Sequence, residues 1–130
     1  MQQVKAIIGR DHYKTFLHSD TNNQLADEPV SAGGTDMGFS PDELLASSLA
    51  ACTAITVRMY ADRKNFDVDQ IEVNVSVEWN KEMGQTNFIK TLRFTGNITE
   101  EEKQRLTFIA GKCPTHKMLS NPVTITTVTL

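Results

Sequence analysis

Residues 40–61 read SPDELLASSLAACTAITVRMYA, and what this stretch becomes decides the fold. Ser40, Pro41 and Glu43 supply three helix-start signals together: a capping serine, a proline at the first helical position, and a glutamate three residues after the cap. The helix they open is expected to reach about residue 64, where DRKN (62–65) ends it. Residues 44–57 carry no charge, and Leu44, Leu45, Leu49, Ile55 and Val57 fall on different sides. A helix that is apolar all round is expected at the centre of its fold, enclosed by other elements. The uncharged run is too short to cross a bilayer and long enough for a buried helix.

Outward from that helix the signals change period. IEVNVSVEW (71–79) alternates strictly, with Ile71, Val73, Val75, Val77 and Trp79 on one face and Glu72, Asn74, Ser76 and Glu78 on the other. That is a half-buried antiparallel strand. NKEMGQT (80–86) turns the chain, and FIKTLRF (88–94) returns with Phe88, Leu92 and Phe94 inward and Lys90 as the exception. A second helix opens at Thr99-Glu100-Glu101-Glu102, a capping box with Ile98 as its hydrophobic staple. Leu106, Ile109, Ala110 and Cys113 form its expected buried stripe, and Pro114 either stops it or starts a short helical turn at PTHKML. VTITTVTL (123–130) reads as a final strand. Upstream, VKAII (4–8) and HYKTFLH (12–18) read as strands joined by the turn GRD (9–11). SDTNNQ (19–24) reads as a turn and SAGGTDMG (31–38) as a loop. The expected fold class is α+β: an antiparallel sheet packed on two helices, one of them fully enclosed.

At 130 residues the chain fits one domain, 1–130, with a modest core that a second copy would enlarge. A formal charge of −3, without clustered Lys and Arg, argues against a nucleic-acid partner. Neither a membrane span nor a signal peptide is read, so the expected compartment is the cytoplasm. There, two cysteines are more often reactive, metal-bound or buried than permanently bridged.

Cys52 sits within the most apolar segment and Cys113 on the second helix's buried stripe, so contact between them is expected. Packed thiols and a reactive pair both satisfy that pattern. Cys113-x-x-His116 is half a zinc motif, and with Cys52 it leaves the metal set incomplete. A Cys–His pair of Cys52 with His12 or His116 has no spacing that specifies it. A reactive Cys52 needs a cation, because its own helix N-terminus lies about 13–14 Å away. Arg10, in the GRD turn, is the candidate, although a solvated turn arginine has the same pattern. Capping explains Glu43, and the helix dipole explains Asp42. One copy of the helix cannot bring Asp42 to Cys52, so a shared site needs an intermediary or a dimer interface.

Taken together, SPDELLASSLAACTAITVRMYA (40–61), AGKCPTHKML (110–119), GRD (9–11) and GGTDMG (33–38) resemble the family of osmotically inducible protein C and the organic hydroperoxide resistance proteins. The CPTHK segment resembles a less characterised Cys-Pro-x-His branch. The resemblance covers essentially the whole chain. It implies an intertwined α+β homodimer with long helices at the centre and active sites at the subunit interface. It also implies a peroxidase that reduces organic hydroperoxides, needs no resident cofactor or metal, and is recycled by an external dithiol such as a lipoylated protein. Matched residue by residue, Cys52 takes the peroxidatic place, Cys113 the resolving place and Arg10 that of the activating arginine. The family glutamate falls on Asp42, with Glu43 beside it, and aspartate is one methylene shorter. Leu45, Leu49, Ile55 and Phe39 are expected to favour fatty or aryl hydroperoxides. The alternative is a binding module that holds a hydrophobic ligand and uses its cysteines as core.

Overall fold

The computed structural model describes residues 1–130. They form two compact units, residues 1–45 and 46–130, divided within the long helix. In the first unit, strands β1 (Lys5–Ile8), β2 (Thr15–His18) and β3 (Asn23–Ala26) make an antiparallel sheet in that order. The first two are expected strands, the second shorter than expected. The third is a correction, since residues 19–24 read as turn. Only Ser19 to Asn22 turn, closed by the Ser19 N–H on the Asn22 carbonyl at 2.9 Å. Asn23 and Gln24 then pair with His18 and Leu17, so neighbouring strand hydrogen bonds override their weak intrinsic preference.

Asp27, almost fully buried, organises the loop that follows. Its carboxylate accepts from the backbone N–H groups of Tyr13, Glu28, Thr35 and Met37, and from the Thr35 hydroxyl at 2.6 Å. Those bonds hold its pKa far below the usual carboxylate range, the Thr35 hydroxyl first, against the opposing effect of burial. The expected loop includes a 3₁₀ turn at Val30–Ala32. At Gly34 a β-carbon would stand 2.0 Å from the Glu28 carbonyl oxygen, so the loop closes this tightly only on glycine.

Helix α1 runs Pro41–Lys64, as expected. Ser40 and Glu43 cap it reciprocally, with the Ser40 N–H donating to Glu43 at 3.0 Å and the Glu43 N–H to Ser40 Oγ at 3.2 Å. By length and composition α1 would suffice to cross a membrane. Its enclosure differs from expectation. Leu49, Thr53, Val57, Tyr60 and Ala61 are buried, a stripe at i, i+4 spacing, whereas Ile55 is 54% and Met59 67% exposed. Within one chain α1 is covered along a stripe, and its opposite face is open.

In the second unit, β4 (Val68–Asn80) and β5 (Gln85–Gly96) form the expected hairpin as a separate two-stranded sheet, so the expected single sheet is two sheets. Lys90 pairs with Val75 across it. Trp79, expected inward, is 64% exposed near the turn. Helix α2 (Glu100–Ala110) starts with the full Thr99–Glu102 capping box. Its Leu106 and Ala110 join Val57, Tyr60, Ala61 and Val68 in one core, with Ile71, Leu92 and Phe94 packed against it. Cys113 is not on α2 but caps a third helix, α3 (Pro114–Leu119). Residues 123–130 form no strand in the chain, and Val123, Ile125, Val128 and Leu130 are exposed.

Candidate functional site

The two cysteines come together, both as free thiols, where α1 meets the start of α3. Cys52 lies on α1 one turn beyond the buried Leu49, and Cys113 is fully buried at the start of α3. Proline at the first position of α3 fixes its direction, and the His116 N–H donates to Cys113 Sγ at 3.2 Å. The Thr53 hydroxyl also points at Cys113 Sγ, 3.6 Å away. Burial pushes the Cys52 thiol up. Hydrogen bonds from the Thr115 side chain and backbone, from Cys113 and from Thr56 outweigh it, leaving Cys52 more acidic than an ordinary thiol.

Beside this pair stands Lys90, the inward exception on β5. Its ammonium donates to the Ala110 carbonyl at 2.7 Å, to Thr53 Oγ1 at 3.2 Å and to His116 Nδ1 at 3.0 Å. Three protons thus meet three acceptors. Burial lowers the Lys90 pKa, and the sulfurs of Cys113 and Cys52 act in the opposite sense. Burial, and then the Lys90 charge, hold His116 below its ordinary pKa and favour the neutral imidazole. Because Nδ1 accepts from Lys90, the ring proton is on Nε2.

A cleft of about 310 Å³ is lined by Leu49, Phe88, Lys90, His116, Leu119 and Ser120, among others; neither cysteine lines it, and it meets the pair through His116, whose N–H donates to Cys113. Its lining mixes apolar side chains with the polar groups of Lys90, His116 and Ser120. Of the apolar residues expected around Cys52, Leu49 lines this cleft, while Leu45, Ile55 and Phe39 are exposed elsewhere. Nowhere do three His, Cys, Asp or Glu side chains gather to hold a metal ion.

Arg10, Asp42 and Glu43 all belong to the first unit and are exposed. Glu43 engages Ser40, whose backbone N–H and hydroxyl lower its pKa. Sequence reasoning noticed Lys90 without assigning it a role. The available signal was a charged residue at an apolar register position, which is costly unless the charge is satisfied. Thr53 and Thr115 gave no signal, since threonine is unremarkable in either segment.

The OsmC-like protein family model matches residues 33–128. No curated protein matches the sequence significantly. Among solved structures, a Psychrobacter arcticus 273-4 protein superposes with a TM-score of 0.77 at 22% identity, over 91% of this chain and 88% of that one. An OsmC-like protein from Mycoplasma pneumoniae gives 0.76 at 23% identity, over 92% and 87%. The organic hydroperoxide resistance protein OhrB of Bacillus subtilis gives 0.62 at 27% identity, over 91% and 89%.

Proposed function

The chain belongs to the OsmC-like protein family, and from that premise we propose that it is a cysteine peroxidase that reduces organic hydroperoxides. The observation that carries this reading is the free thiol of Cys52, made more acidic than an ordinary thiol by its neighbours and set beside a second free thiol, Cys113. The resemblance to a hydroperoxide resistance protein supports it.

The Cys52 thiolate attacks one peroxide oxygen. An S–O bond forms, the O–O bond breaks, and the alcohol leaves once its oxygen gains a proton. Cys52 is then a sulfenic acid. Attack by Cys113 forms the disulfide and releases water before further oxidation occurs. An external dithiol, such as a lipoylated protein, restores both thiols through a mixed disulfide and is itself oxidised. No resident cofactor takes part in these steps. The fold acts as a homodimer in the cytoplasm, with Arg10 as the activating guanidinium and Asp42 or Glu43 as its carboxylate partner. The cleft, with Leu49 and Phe88 on its walls, suits an organic hydroperoxide better than hydrogen peroxide.

Stopped-flow oxidation of the reduced protein by cumene hydroperoxide and by hydrogen peroxide tests this. Fast reaction with the organic peroxide is expected, ending in a Cys52–Cys113 bridge seen by mass spectrometry and absent from Cys52→Ser. A rate no greater than that of a free thiol would reject it, and would leave a ligand-binding domain with packed cysteines.

A further inference from the structure

The peroxidase reading leaves one requirement open: a proton for the departing alkoxide. It also leaves Lys90 and His116 without a task, although both are built into the same cluster. Thr53 accepts from Lys90 and points its own hydroxyl at Cys113. On α3, Thr115 stands beside Cys52 and lowers its pKa, while the next residue, His116, sends its N–H to Cys113 and turns its ring to Lys90. His116 Nδ1 is occupied by the ammonium. No protein atom takes the Nε2 proton, and no buried side-chain nitrogen or oxygen lacks a partner. Nε2 is therefore accessible, on a residue that lines the cleft.

We propose that His116, held by Lys90 with its proton on Nε2, is the general acid that protonates the alkoxide as Cys52 is oxidised. The step rests on the peroxidase reading. A neutral imidazole alone is too weak an acid, but here it is the middle of a relay. Nε2 gives its proton to the alkoxide oxygen while Nδ1 takes one from the Lys90 ammonium. Thiolate, hydroperoxide and ammonium become sulfenic acid, alcohol and amine, and both atoms and charge balance. Solvent then returns a proton to Lys90, and the histidine recovers its first tautomer. The buried site favours this, because a lysine there gives up its proton more readily than in water. His116 is thus the catalytic residue and Lys90 its positioning residue and proton source.

The test compares two oxidants that differ in their need for an acid. Cumene hydroperoxide expels an alkoxide, which must be protonated, and peracetic acid expels acetate, which need not be. In His116→Gln and in Lys90→Met, the ratio of the cumene hydroperoxide rate to the peracetic acid rate should fall about 100-fold, the lower end of general acid catalysis. In the unsubstituted protein, nitrogen-15 NMR of His116 should show a protonated Nε2 and a bare Nδ1 at pH 7. An unchanged ratio, with both rates lost alike or both kept, would overturn the proposal. So would an Nδ1–H tautomer or an imidazolium. If Lys90→Met fails to fold, His116→Gln and the NMR spectrum still decide. An unsubstituted protein that reacts with neither oxidant faster than a free thiol would overturn the peroxidase reading, and this step with it. An unchanged ratio in a protein that still reacts fast with cumene hydroperoxide overturns this step alone and leaves that reading standing.

Discussion

Cys52 is acidic because its sulfur is surrounded by donors, even though burial opposes the charge. The alkylation rate of Cys52 by iodoacetamide should therefore reach half its maximum below the ordinary thiol pKa, and Thr115→Val should move that midpoint up. Stability follows the same shift. Between the lowered folded value and the ordinary thiol value, the unfolded chain holds a proton the folded one has lost, so this contribution grows as pH rises. It disappears as pH falls through the folded value, and urea titrations across that window on the protein and on Cys52→Ser should show it. Lys90 interacts electrostatically with both sulfurs. Lys90→Met should accordingly raise the Cys52 alkylation midpoint, whereas Lys90→Arg should leave it nearly unmoved. Of this cluster, the two cysteines were legible from their segments, and Lys90 was visible only as a break in the β5 alternation. The partners of its ammonium come from α1, α2 and α3, separated in sequence by 20 to 37 residues, so no local pattern could name them.

Helix ends and the hairpin are local matters, and local rules found them. The Thr99–Glu102 box satisfies backbone donors that α2 would otherwise leave free. Thr99→Ala should lower the unfolding free energy by about 1 kcal/mol, measured by urea denaturation. At the far end of β5, Gly96 has φ +128° and packs against Asp67, where a β-carbon would lie 2.3 Å from the carbonyl oxygen. β3 and the tail show the limit of local rules. Asn23 and Gln24 become a strand because β2 is there to pair with them. Residues 123–130 have the composition of a strand and no partner, so the same physics leaves them unpaired in one chain. Cys113, read as the last residue of α2, became the cap of α3 because Pro114 can open a helix as readily as end one.

For the whole molecule, the open apolar face of α1 is the outstanding feature. Ile55 and Met59 stand exposed on a helix whose other side is the core. In the proposed homodimer a second copy covers this face, so sedimentation velocity should find a dimer that Ile55→Arg converts to monomer. Deletion of residues 122–130 should weaken the dimer if the tail adds its strand to the partner.

The amino-acid sequence by itself determined the long helix, both capping boxes, the β4–β5 alternation and the two cysteines. Each depends on hydrogen bonds or burial within a few turns of chain. Only the tertiary structure decided which face of α1 is covered, that the sheets are two, and that Lys90 and His116 join the cysteines. Those outcomes depend on which distant segments share a volume, and a buried ammonium chooses its place by the three acceptors that happen to meet there.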